Sequence, residues 1–102
     1  MSMERVLDEA VRVFGAKHQC MIAMEELAEL IQAISKVNRE RSEKHIGNLA
    51  EEIADVSIML EQLQIMFDIS DGEIYAIRMS KLDRLSSRID ERRCANVGKD
   101  DP

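Results

Sequence analysis

The segment NLAEEIADVSIML, residues 48–60, decides the fold that the sequence predicts. Its apolar residues recur every three or four positions, the spacing of one face of an α-helix. Glu52 follows Leu49 by three positions and precedes Val56 by four, and Asp55 lies three positions beyond Glu52. Because residues three and four apart share a helix face, two carboxylates fall on the side that a helix normally buries.

A second acidic segment, EELAEL at residues 25–30, shows the same arrangement. Glu26 lies four positions after Ile22 and four before Leu30, so it belongs to an apolar stripe, and Glu29 is three positions further on. A solvated acidic face is the alternative interpretation of each pair taken alone. Together, the two segments indicate two helices that each direct an acidic pair toward the interior.

Carboxylates that face one another in a dry interior cannot all remain ionised, because buried charge is costly and like charges raise each other's pKa. A divalent cation resolves this conflict. Ligand sets made only of oxygen suit hard ions, so we expect Mg²⁺, with Mn²⁺ as its substitute. The Glu-x-x-His pairs of di-iron bundles are missing from both segments, which argues against iron.

The composition predicts a single all-α domain. The chain has 102 residues, of which 45% are hydrophobic and 3% aromatic, and its one Pro is the last residue. Leu, Ile, Val, Met and Ala must then fill the core, which favours helices over strands. We expect an antiparallel four-helix bundle with helices at about residues 2–14, 17–37, 48–67 and 70–93. The domain spans residues 1–93, and residues 94–102 form a flexible C-terminal tail.

Local signals set these helix boundaries. The segment 39–47 is charged and ends in Gly, so it is predicted to be a loop, with or without one helical turn. Asn48 and Glu51 have capping-box spacing and are expected to begin the third helix. Ser70 and Glu73 have the same spacing and are expected to begin the fourth.

Charge and hydropathy exclude several classes of partner. The net charge of −6 argues against DNA and RNA, whose backbones are bound by clustered Lys and Arg. No apolar run approaches the ~20 residues of a membrane span, and the start of the chain lacks a signal-peptide pattern. Cys20 and Cys94 do not have the spacing of a metal-binding or redox motif, so we expect both to be reduced thiols. We therefore expect a cytoplasmic protein without a nucleic-acid or membrane partner.

The predicted fourth helix supplies cations. Lys81 lies four residues after Ile77 and four before Leu85, so it interrupts an apolar row, and Arg84 and Arg88 lie beside it. A lone Lys in such a row commonly extends its ammonium to water. However, a Lys and two Arg near a metal–carboxylate cluster can also bind phosphate groups.

In these motifs the chain resembles the MazG-like all-α nucleoside triphosphate pyrophosphohydrolases. The family hallmark is Glu-Glu-x-x-Glu followed by Glu-x-x-Asp, which matches residues 25–29 and 52–55 with 22 residues between them. Four further segments are similar to short members of the family: GAKHQCMIAMEELAEL, SKVNR, NLAEEIADV and KLDRL. The resemblance covers roughly residues 14–90.

The resemblance implies a homodimer or homotetramer that uses Mg²⁺ to split (deoxy)nucleoside triphosphates into the monophosphate and pyrophosphate, as nucleotide-pool housekeeping. It implies four carboxylate metal ligands: Glu26, Glu29, Glu52 and Asp55. Glu25 would orient or deprotonate the attacking water. Lys81 and Arg84 would bind phosphate, to which we add Arg88, and Gln19 would face the nucleotide.

Two other hypotheses stay open at this point. One is phosphoribosyl-ATP pyrophosphohydrolase, which shares the fold class but whose fourth-helix signature is less similar. The other is a catalytically silent helical module with a dimerisation or regulatory role. Such a module typically loses a motif acid, whereas this chain keeps all five.

Overall fold

The computed structural model describes residues 2–100 and forms four α-helices over that range. They are α1 (Met3–Phe14), α2 (Ala16–Arg39), α3 (Glu43–Met66) and α4 (Asp71–Asp100). The chain divides into two compact units: the first ends at Ile69 and contains α1–α3, and the second begins at Ser70 and contains α4. The predicted all-α class with four helices is confirmed.

In the first unit, α2 and α3 form the main helix pair, and α1 packs against both. The short connection at residues 40–42 makes α2 and α3 antiparallel. Their interface buries Ala23 and Ala33 from α2, and Val56 and Met59 from α3. Small side chains such as these two alanines allow a close approach of packed helices.

The third helix begins five residues earlier than the sequence predicts. Ser42 is its N-cap: its backbone is extended and its hydroxyl accepts a hydrogen bond from the His45 N–H at 3.1 Å. The expected loop at residues 39–47 is therefore wrong from Glu43 onward, and Asn48 lies inside the helix. The Ser42 cap and the acidic Glu43 in the first turn stabilise the helix N-terminus, which outweighs the weak helix propensity of one Gly.

The fourth helix begins where the sequence predicts, because the Ser70 hydroxyl accepts a hydrogen bond from the Glu73 N–H at 3.1 Å. It ends later than predicted: residues 94–100, which the sequence predicts to belong to the tail, continue the helix. No Pro or Gly follows Arg93 until Gly98, so local propensity permits the extension as far as Val97. The last two residues of the predicted tail, 101 and 102, lie outside the described residues.

Many apolar side chains of both units are exposed. On α2 and α3 they include Ile31 (67% exposed) and Ile53 (54%), and on α4 they include Ile77 (54%) and Leu85 (49%). Every α4 side chain that the structure describes is exposed. No helix in the described part of the chain combines the length and apolar character needed to cross a membrane.

Candidate metal centre

Three carboxylates meet between α2 and α3. Glu26 comes from α2, and Glu52 and Asp55 come from α3; one oxygen of each lies within 4.8 Å of the other two. The three-residue spacing on α3 places Glu52 and Asp55 on one face, as the sequence predicts. The antiparallel pairing of the helices then brings Glu26 opposite them.

Two of the carboxylates have an oxygen without a partner. The Glu26 and Glu52 side chains are half-buried, and the Oε2 atom of each is buried and makes no hydrogen bond within the described residues. Such an oxygen has lost its hydrogen bonds to water without gaining a protein donor, which is unfavourable for the folded state. Asp55 is exposed, so the cluster also opens to solvent.

The electrostatics of the cluster disfavour its ionised form. Burial raises the pKa of Glu26, and the negative charges of Glu29, Asp55 and Glu52 raise it further. Burial likewise raises the pKa of Glu52, followed by the charges of Glu29 and Asp55. Glu29 is therefore close enough to act on both half-buried glutamates. Glu29 itself is exposed and lies outside the group of three, so the structure brings together three of the four predicted metal ligands.

This group fits a hard divalent cation. Its donors are all carboxylate oxygens, which Mg²⁺ and Mn²⁺ prefer. Ligands about 2.1 Å from Mg²⁺ lie up to about 4.2 Å apart, so oxygens within 4.8 Å need only small side-chain rotations to bind one ion. A cation would also provide the missing partner of the two buried oxygens and offset the mutual repulsion of the acids.

Two other predicted site residues lie on α2. Glu25, the expected water-orienting residue, is exposed and lies outside the group of three ligand carboxylates. Gln19, the expected nucleotide contact, is buried at 6% exposure. Its Nε2 donates to Gln62 Oε1 at 2.8 Å, and its Oε1 lies 2.7 Å from His18 Nδ1.

Sequence reasoning missed Gln62, which is buried on α3 at 3% exposure. A signal was available: Gln62 lies three residues after Met59 and six after Val56, so it continues the buried stripe of α3. A polar residue in such a stripe predicts a buried hydrogen-bond partner on a facing helix.

The three predicted phosphate-binding residues, Lys81, Arg84 and Arg88, are all exposed on α4 in the second unit. Lys81 lines a groove on that helix with Arg78 and four apolar residues, Ile74, Ile77, Leu82 and Leu85. Lys81 thus lies among apolar residues of the row that the sequence predicts, since Ile77 and Leu85 also line the groove. It also adds Arg78, a cation that the sequence interpretation left unassigned.

Comparisons of the chain with protein-family models, with curated proteins and with solved structures gave no match. Membership of the MazG-like family therefore stays a prediction from the two acidic motifs.

Proposed function

We propose that this protein is a Mg²⁺-dependent nucleoside triphosphate pyrophosphohydrolase of the MazG-like type. Its substrates are (deoxy)nucleoside triphosphates, and its products are the monophosphate and pyrophosphate. The observation that carries the proposal is the meeting of Glu26, Glu52 and Asp55, two of which have a buried oxygen without a hydrogen-bond partner.

In this proposal the metal is held by the three clustered carboxylates, Glu26, Glu52 and Asp55, together with the neighbouring Glu29. When bound, Mg²⁺ neutralises polyphosphate charge and lowers the pKa of a coordinated water. The exposed carboxylate of Glu25 orients the attacking water and accepts its proton. Its place next to Glu26 in the sequence puts it on the same turn of α2 as the cluster.

The proposal assigns phosphate binding to Lys81, Arg84 and Arg88. A guanidinium binds two phosphate oxygens at once and an ammonium binds as a point charge, so the set stabilises the negative charge that develops on departing pyrophosphate. The nucleotide contact predicted for Gln19 stays a prediction, because its buried amide is already engaged by Gln62 and His18.

The proposal includes a homodimer or homotetramer in the cytoplasm. Support for self-association comes from the large exposed apolar side chains on the outer faces of the helices, such as Ile31, Ile34 and Ile53. Large exposed apolar patches commonly mark surfaces that bind another protein chain. Cys20 and Cys94 are both free, which is compatible with a reducing compartment.

A product-resolved hydrolysis screen tests the reaction. Each ribo- and deoxyribonucleoside triphosphate, and phosphoribosyl-ATP, is incubated with purified protein and Mg²⁺, Mn²⁺ or EDTA, and pyrophosphate and orthophosphate are assayed separately. We expect monophosphate and pyrophosphate in the presence of metal and neither with EDTA. Diphosphate plus orthophosphate, or turnover that survives EDTA, contradicts the proposed reaction. Turnover of phosphoribosyl-ATP alone would place the protein in that branch instead.

A further inference from the structure

A buried polar chain crosses between α2 and α3. Gln19 and Gln62 are the buried polar residues of the described chain, and they hydrogen bond to each other at 2.8 Å. The chain extends to His18 at one end and, through Gln62 Nε2, to Met59 Sδ at 3.5 Å at the other. Buried polar groups that are mutually satisfied in this way specify one arrangement of the elements that carry them.

The Gln pair and the carboxylates share one helix register. Gln19 lies seven residues before Glu26 on α2, and Gln62 lies seven residues after Asp55 on α3. Since α2 and α3 are antiparallel, both intervals run in the same direction along the helix pair. Seven residues are about two helical turns, or roughly 10 Å. A single register of the two helices therefore produces both the Gln–Gln hydrogen bond and the opposition of Glu26 to Asp55.

The apolar contacts between the Gln pair and the carboxylates specify the helix register less strictly. Ala23, Val56 and Met59 pack there by shape and apolar area, which tolerate small shifts better than a hydrogen bond does. A second polar contact between the helices, from the Cys20 thiol to Met66 Sδ at 3.8 Å, is weaker than an amide hydrogen bond. The Gln19–Gln62 hydrogen bond is thus a buried, directional contact that joins α2 to α3.

A change of register would disable the carboxylate cluster. A slip of one residue translates a helix by about 1.5 Å and rotates its side chains by about 100°. Metal–ligand distances tolerate deviations of only about 0.2 Å. We propose that Gln19 and Gln62 are positioning residues, which fix the register of α2 against α3 and so hold Glu26 opposite Glu52 and Asp55. This inference rests on the proposed metal centre.

The first test measures Mn²⁺ affinity together with thermal stability. The double variant Gln19→Leu/Gln62→Leu removes both amides and leaves no orphaned polar group, and Gln32→Leu is the matched control on the exposed face of α2. We expect the double variant to melt in EDTA no lower than the control but to bind Mn²⁺ at least tenfold more weakly. If the pair served stability alone, the double variant would melt lower and the folded protein would keep its Mn²⁺ affinity.

The single variant Gln62→Met covers the case in which the double variant fails to fold, because Met keeps the length of the side chain and fills irregular space. We expect it to weaken Mn²⁺ binding relative to Gln32→Leu as well. Wild-type Mn²⁺ affinity in a folded variant that lacks the Gln–Gln hydrogen bond overturns the proposal.

The second test reads the register without a metal. Nitroxide labels are placed on cysteines introduced at Ser35 on α2 and Ser57 on α3, in a background with Cys20→Ala and Cys94→Ser, and the labelled protein is diluted into unlabelled protein. We expect one narrow distance with the Gln pair and a broadened or split distribution in the Gln19→Leu/Gln62→Leu variant. An unchanged narrow distance shows that other contacts set the register, and it overturns the proposal.

The two tests separate this inference from the proposed function. If the wild-type protein binds no Mn²⁺, the metal centre is wrong, and the distance measurement alone decides whether the pair sets the register. If the wild-type protein binds Mn²⁺ and the double variant changes neither affinity nor distance, the positioning role is wrong and the metal centre stands.

Discussion

At the scale of single residues, Glu52 shows why the candidate site is poised for a cation. It is half-buried, one of its oxygens is unpartnered, and its closest charged influences are other acids. Such a residue is unfavourable for the metal-free protein and favourable for the metal-bound one. Its effects on stability and on activity should therefore have opposite signs.

We predict that Glu52→Gln lowers metal-dependent hydrolysis by more than about 100-fold, because a neutral amide is a poor ligand for a hard cation. In EDTA the same variant should melt higher than the wild type, because the amide relieves repulsion from Glu29 and Asp55. Glu61→Gln, on an exposed position of α3, is the control and should leave both quantities unchanged. Wild-type turnover by Glu52→Gln would remove this residue from the site.

The two half-buried glutamates also determine how the stability of the metal-free protein depends on pH. Burial and neighbouring acids raise the pKa of Glu26 and Glu52 above the ordinary carboxyl value, so the metal-free folded state binds protons more tightly than the unfolded state. The stabilisation is complete below the unfolded pKa and is lost as pH rises through the raised pKa values. We predict that the loss of this stabilisation lowers the melting temperature in EDTA as pH rises from the unfolded pKa through the raised pKa values.

Mg²⁺ should reverse the trend, because it competes with protons for the same oxygens. The difference in melting temperature between Mg²⁺ and EDTA should therefore widen with rising pH and shrink at acidic pH. Melting curves recorded in parallel in the two buffers measure it, with Glu52→Gln as a variant whose dependence should be weaker. A difference that stays constant with pH would contradict a metal bound by these carboxylates.

At the scale of helices, the start of α3 shows two competing local signals. Asn48 with Glu51 and Ser42 with Glu43 both have N-terminal character, and the helix begins at the earlier one. The Ser42 hydroxyl accepts a backbone hydrogen bond, whereas Asn48 sits in the helix interior, where Asn has poor propensity. Substitutions at the two positions should therefore act in opposite directions.

We predict that Ser42→Ala lowers the free energy of unfolding by about 1 kcal/mol, because the His45 N–H loses its cap. Asn48→Ala should raise it by several tenths of a kcal/mol, roughly up to 0.7, through better helix propensity. Urea denaturation of both variants beside the wild type measures the two changes. If Asn48→Ala lowered the free energy of unfolding more than Ser42→Ala does, Asn48 and not Ser42 would be the N-cap of α3.

At the scale of the whole molecule, the balance between buried and exposed apolar groups is the prominent feature. The buried apolar residues of the described chain are Ala23, Ala33, Val56 and Met59, while many larger apolar side chains are exposed. A core of this size supplies little of the burial that opposes chain entropy. Association with a second copy would supply more.

We predict that light scattering finds an assembly with a mass that is a multiple of 11.7 kDa, and that its melting temperature rises with protein concentration. Ile31→Asp, which places a charge on the outer face of α2, should lower both the mass and the melting temperature. Ser35→Asp, also exposed on α2, is the control and should change neither. An 11.7 kDa species at every concentration would contradict self-association.

The sequence by itself determined the properties that depend on neighbours a few positions away. Helical periodicity and the scarcity of aromatic residues indicate four helices, Ser70 and Glu73 mark the start of α4, and the i, i+3 spacing puts Glu52 and Asp55 on one face. The same spacing groups Glu26 with Glu29. These features follow from backbone geometry that any helix shares, so they are available from residue order alone.

Only the tertiary structure decided which residues from different helices meet. Gln62 is 43 positions from Gln19, and no local rule pairs them; the antiparallel packing of α2 on α3 does, by aligning two faces along a common register. The same packing brings Glu26 to Asp55 and buries Gln19 against Gln62. Register is a property of two helices together, set by the burial and hydrogen bonding of both faces at once, and a single helix does not contain it.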